Sequence, residues 1–183
     1  MTRLEAVNRI LLSIGELPID DLDFAPTEVE LALTHLDMAS KEVQLDGWYF
    51  NTEIVDLKPD SQGHIFLPYD SIKVVDLPPY VICINNKLYD QARQSFVFNK
   101  NIRCKAIKAV DFEDIPLSFA LWVTLRAAKK YQNNTLTSGF LAENLEKEEL
   151  EAMLLAKREH RQVTRPNVKG SSAGYDIKNV LRR

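Results

Sequence analysis

The sequence has little of what catalysis, metal binding, disulfide scaffolds or membrane insertion require. Its 183 residues contain two cysteines, Cys83 and Cys104, with no CxxC spacing. So few thiols suit a reducing compartment, and both read as buried free thiols. Six glycines stand scattered at 15, 47, 63, 139, 170 and 174, so no glycine-rich loop is present to cradle a phosphate. HExxH and GxSxG are absent, and His35, His64 and His160 lie far apart in sequence. No metal, no cofactor and no catalytic residue is expected. The acidic pairs Asp20-Asp21 and Glu113-Asp114 fall near helix starts, where capping and dipole effects account for them. No apolar run approaches the roughly 18 residues of a membrane span, and the start of the chain lacks a signal-peptide h-region. A surplus of positive charge is also missing. Lys and Arg number 23 against 26 Asp and Glu, a net of −3, which disfavours a basic nucleic-acid-binding protein.

What remains is an ordinary globular composition, 45% hydrophobic and 27% charged, of a length for one domain or one domain carrying an inserted lobe. Thr2 and Glu5 have capping-box spacing. Leu4, Val7, Ile10, Leu11 and Ile14 then recur on one helical face, which Gly15 and Pro18 close. After an acidic loop, a second helix is expected from Thr27, again with a Glu three residues on, to about Gly47. Its main stripe is Val29, Ala32, Leu36, Ala39 and Val43. Leu31, Met38 and Leu45 form another stripe nearly opposite, so the helix is either interior to a bundle or also meets a partner.

From Trp48 to Val110 the chain turns β-branched and aromatic. Strands are expected at 49–57, 64–67, 72–76, 80–84, 87–90, 95–98 and 102–110. Asn85-Asn86 suits a two-residue hairpin, and short connections without helices imply antiparallel pairing. Helix returns after Asp111, with Asp114 as a cap and Pro116 in the first turn. Leu117, Ala120, Leu121, Leu125 and Ala128 on one face, with Phe119, Trp122 and Val123 on the other, describe a central helix. A last helix is expected over 138–161, acidic first and basic last, with inner positions Leu141, Leu145, Ala152, Leu155 and Ala156. Leu150 and Leu154 point away from them.

The fold class is therefore α+β. Residues 1–47 and 111–162 form the two parts of a bundle of about four helices, 48–110 an inserted antiparallel β domain, and 163–183 a C-terminal tail. From Thr164 onward the net charge is +4, leaving −7 on the body. Arg165, Lys169, Lys178, Arg182 and Arg183 carry the tail's charge. Tyr175, Ile177, Val180 and Leu181 are its spaced apolar residues. The tail is either a disordered terminus or a segment that orders on a partner.

Three segments carry a family resemblance. They are the run from Ala6 to Pro18, the helix-to-strand junction from Gly47 to Glu53, and a weaker set. The weaker set is Asp111 to Pro116, Trp122, Arg126-Ala127 and Tyr131-Gln132-Asn133-Asn134. In this order and register, over about residues 4 to 155, the chain resembles the tail tubular protein A family, head-to-tail adaptors of T7-like, short-tailed bacteriophages. The resemblance implies a homo-oligomeric ring, a dodecamer, between the portal protein and a tail nozzle protein of the tail tubular protein B kind. It also implies a conduit for double-stranded DNA that passes without specific binding, and no membrane partner. It places the product at the portal vertex of the virion tail, after assembly in host cytoplasm. On this reading Leu31, Met38, Leu45, Leu150 and Leu154 meet neighbouring protomers. The tail residues Arg165, Lys169, Tyr175, Ile177, Lys178, Val180, Leu181, Arg182 and Arg183 meet the portal. The alternatives are another tail-completion protein, a virion-associated cell-wall hydrolase, and a regulatory DNA-binding protein using the basic tail.

Overall fold

The computed structural model describes residues 1–23, 26–135 and 139–165. Helix α1 spans Arg3–Leu12 and opens with the expected capping box: Thr2 Oγ1 accepts from Glu5 N, and Thr2 N donates to the Glu5 carboxylate. Its exit is a Schellman turn. Glu16 N donates to Leu11 O and Gly15 N to Leu12 O, with Gly15 at φ +85°.

Helix α2 spans Thr27–Gln44 and α3 spans Leu117–Thr135. Both start one residue after a proline. The Pro26 carbonyl accepts from Val29 and Glu30, and the Pro116 carbonyl from Phe119 and Ala120. Thr27 is the first residue of α2, where the helix is expected to start. One expectation is corrected. Asp114 belongs to a separate 3-10 turn, Phe112–Asp114, ahead of α3. At α2 Pro26 takes the capping position, with φ −55° and ψ 163°, and no side chain caps the helix. Helix α4 spans Gly139–Thr164.

The main core lies among the helices. Ala6, Val7, Ile10 and Leu11 of α1 and the α2 stripe Val29, Ala32, Leu36, Ala39 and Val43 are buried against Phe119, Trp122, Val123 and Leu125 of α3. Helix α3 packs on α1, α2 and α4, so it is the central helix its all-round apolar pattern predicts. Leu117, at its first turn, lies outside that core and is largely exposed. From α4, Ala152 and Ala156 enter the core. Leu155, expected on the inner face, is half exposed.

Between α2 and α3 the chain forms the β lobe. Strands β1 (Thr52–Leu57), β2 (Ser71–Val75) and β5 (Ile102–Lys108) make an antiparallel sheet in the order β1-β5-β2. Strands β3 (Val81–Ile84) and β4 (Lys87–Asp90) form a hairpin across Asn85 and Asn86, both at positive φ. A second core, Leu57, Ile65, Leu67, Leu88, Phe98, Ile102 and Cys104, holds sheet and hairpin together. Two expected strands are not formed. Residues 64–67 make a single bridge, Phe66 to Lys87, before Pro68 diverts the chain. Residues 95–98 make one bridge, Asp90 to Ser95, because the Asp90 carboxylate accepts from Ala92 and Arg93 and curls the chain into a turn. Cys104 is buried as expected, but Cys83 near the hairpin tip is exposed.

Candidate assembly interface

The joint between the lobes fixes how their surfaces are presented. The chain leaves the bundle at 45–51 and re-enters it at 108–110, and two buried amides tie these crossings together. Gln44 Oε1 accepts from Val110 N at 2.8 Å, and its Nε2 donates to Val110 O at 2.9 Å and to Ser40 Oγ at 3.0 Å. Asn51 Oδ1 accepts from Trp48 N at 2.7 Å, while its Nδ2 donates to Gln44 O and Lys108 O, both at 3.1 Å. Gly47, at φ +76°, lies so close to Ile107 that an added Cβ would stand 2.8 Å from Ile107 Cδ1. Trp48 donates through Nε1 to Val43 O and packs on Phe119 and Trp122. Sequence reading found Gly47 and Trp48 but missed Gln44 and Asn51. The available signal was Ser40 and Gln44 on the apolar face of α2, at its C-terminal end.

The far end of α4 is clamped to the same joint. The Glu159 carboxylate accepts from the hydroxyls of Tyr49 and Ser118, and His160 Nδ1 accepts from Tyr49 N. Burial pushes the Tyr49 phenol up, helped by the hydrogen bond and charge of Glu159, to about 12. At the other end, Glu149 receives Arg126 Nε at 2.8 Å and Lys129 Nζ at 3.0 Å. Burial works to raise the Glu149 pKa, but these two cations outweigh it and hold the carboxyl below its ordinary value.

Against this rigid frame the surplus apolar residues face outward. Leu31, Met38 and Leu45 are 49%, 51% and 40% exposed on the outer side of α2. Leu150 and Leu154 are 50% and 53% exposed on α4. The second stripe of α2 is therefore not interior to this chain's own bundle. A groove of about 390 Å³ runs beside α4, lined by Leu121, Leu125, Ala152 and Leu155 with Arg9, Glu148 and Glu151. A second exposed cluster, unforeseen in the sequence, lies on the β lobe. There Lys87 Nζ sits 5.6 Å from the Phe66 ring centroid and 4.8 Å from that of Phe96. Of the tail positions, Arg165 is exposed just past α4. Lys169, Tyr175, Ile177, Lys178, Val180, Leu181, Arg182 and Arg183 lie outside the described residues. Among the described residues no three potential ligands converge on a metal position, and no helix is long and apolar enough to cross a membrane.

A closed helical core, a firmly jointed β lobe and exposed apolar stripes on two separate helices define an α+β protein with apolar side chains on its outer face. Comparison with known proteins gives the particular family. The family model described as "Tube: Tail tubular protein" matches residues 4–166, and the chain belongs to that family, a structural protein of the phage tail. It is similar to Tail tubular protein A of Klebsiella phage KP34, with 28% identity over 138 residues, covering 73% of this chain and 74% of the relative.

Proposed function

We propose that this chain is a head-to-tail adaptor that closes into a ring, twelve copies on the family resemblance, seated between the portal and the nozzle of the tail. It acts by contact and carries out no turnover. The observation that carries the reading is the pair of apolar stripes, Leu31/Met38/Leu45 and Leu150/Leu154, outward on two different helices. A ring needs two such surfaces on each protomer, because cyclic contacts are head-to-tail. The basic segment after α4, with its spaced apolar residues, binds the portal. The Phe66/Lys87/Phe96 cluster of the β lobe supplies the contact toward the nozzle. DNA passes through the ring without sequence-specific contacts, consistent with a net acidic body.

Native mass spectrometry of the protein, alone and mixed with its cognate portal, tests the ring. A discrete high-order oligomer supports it, and a monomer under both conditions refutes it. Deleting residues 164–183 is expected to abolish capture on immobilised portal; undiminished capture would refute the tail's role.

A further inference from the structure

We infer that the two stripes pair with each other between copies: the α2 outer face of one protomer seats on the α4 outer face of the next, and charge sets the pairing. The inference rests on the ring reading above and names which surface meets which.

The warrant is how α4 distributes its charges. Four of its six carboxylates are engaged inside the protomer; Glu143 and Glu151 are exposed and outside any ion pair among the described residues. Glu146 and Glu149 pair with Lys129, Glu149 also with Arg126, Glu148 with Arg9, and Glu159 accepts from Tyr49 and Ser118. Its cations are not. Lys147, Lys157, Arg158 and Arg161 are exposed, and none takes part in an ion pair among the described residues. At 100° per residue all four fall within about 60° of the Leu150/Leu154 line. With Glu143 on that line and Glu151 about 80° from it, the outer face of α4 is thus an apolar pair with a net surplus of two positive charges.

Helix α2 presents the complement. Glu28 and Glu30 flank the Leu31/Met38/Leu45 line at about 80° on either side, and Asp46 follows Leu45. These three are exposed and also outside any ion pair among the described residues. Glu42 is taken by Lys130 and Asp37 by Arg3, so neither is offered outward. Against these three free carboxylates stand two cations, the exposed Lys41 of α2 and Lys73, whose Nζ donates to Leu45 O, so the face keeps a net negative charge. Pairing α2 with α2, or α4 with α4, would oppose like charges around apolar contacts. Pairing α2 with α4 satisfies both, and it is the asymmetric contact that a closed ring requires.

Two charge-reversed proteins test this, each confirmed folded by circular dichroism. One carries Glu28→Lys, Glu30→Lys and Asp46→Lys; the other carries Lys157→Glu, Arg158→Glu and Arg161→Glu. Native mass spectrometry of each alone is expected to show loss of the wild-type oligomer. An equimolar mixture is expected to regain it with the two proteins in equal numbers, since every contact is again between opposite charges. Wild-type association is also expected to weaken as salt is raised. Assembly of either variant alone, or a mixture that stays monomeric while wild type forms rings, would overturn the pairing and leave the ring reading standing. Absence of any wild-type oligomer, with or without portal, would overturn the ring reading itself and this pairing with it.

Discussion

Replacing Gly47 by alanine is the sharpest probe of the joint between bundle and β lobe. Three terms set its cost. An L-residue in left-handed backbone is disfavoured by about 1–2 kcal/mol. Alanine recovers about 0.5–1 kcal/mol, because glycine loses more chain freedom on folding. The new Cβ would stand 2.8 Å from Ile107 Cδ1 and 3.2 Å from both Ile107 Cγ1 and Thr52 Oγ1. Ile107 is 1% exposed, so it must leave its rotamer within packed surroundings, at about 0.5–1.5 kcal/mol. The net destabilisation is about 0.5–3 kcal/mol, centred on ~1.75 kcal/mol. In urea, with a slope near ~2 kcal/mol/M, that is a midpoint roughly 1 M lower. Gly15→Ala is the matched control. Its φ is similar, at +85°, yet an added Cβ there meets nothing within 4 Å. The difference between the two variants isolates the Ile107 contact. Adding Ile107→Val removes the methyl that would clash, so Gly47→Ala and Ile107→Val are expected to be less costly together than the sum of each alone. Equal costs at Gly47 and Gly15, or strict additivity with Ile107→Val, would refute the argument that the joint is closely packed.

Three further outcomes follow from the same geometry. Gln44→Ala orphans both backbone groups of Val110 and is expected to cost roughly 1–3 kcal/mol in urea unfolding; a neutral result would mean that water replaces the amide. Glu149→Gln is expected to flatten the acid limb of stability. A folded pKa held below the ordinary 4.5 contributes stability that is present above that value and lost as pH falls through the folded one. The variant's stability should therefore decline less than that of wild type below about pH 4.5, and parallel acid limbs would contradict the assignment. Cys83 is exposed while Cys104 is buried, with its pKa raised by burial and by Asp56. A thiol reagent is expected to modify one cysteine in the native protein and two in urea; rapid native modification of Cys104 would show that the β-lobe core opens readily.

Helical periodicity made the bundle legible in the sequence because its burial is one-sided: every residue of the Val29-to-Val43 stripe is buried, and the surplus stripe is exposed. The start of α2 at Thr27 was legible, but the cap at Asp114 was misread, since a polar residue and the nearby Pro116 both signal an N-terminus and the helix begins after the proline. Segments 64–67 and 95–98 have strand composition, but composition cannot report that Pro68 and the Asp90 turn leave each a single bridge. The outward leucines were legible as surplus. The pairing proposed for them was not, because it depends on which charges the protomer has already neutralised. The Gln44–Asn51 clamp was hidden for a related reason: a buried amide reads as a surface residue until its backbone partners, 66 and 57 residues away, are brought beside it.

The clamp and the register of β1 on β5 also bear on how the chain folds. Thr52 lies opposite Ile107, so the ends of the lobe are held at neighbouring-strand distance, about 5 Å. Once the lobe has formed, α2 and α3 are joined by a short effective link and not by some 60 residues of loose chain. Loop-closure entropy scales as (3/2)RT ln n, so a tenfold shorter effective loop spares roughly 2 kcal/mol. The lobe can therefore vary in length beyond its first and last strands without slowing the meeting of the two halves of the bundle.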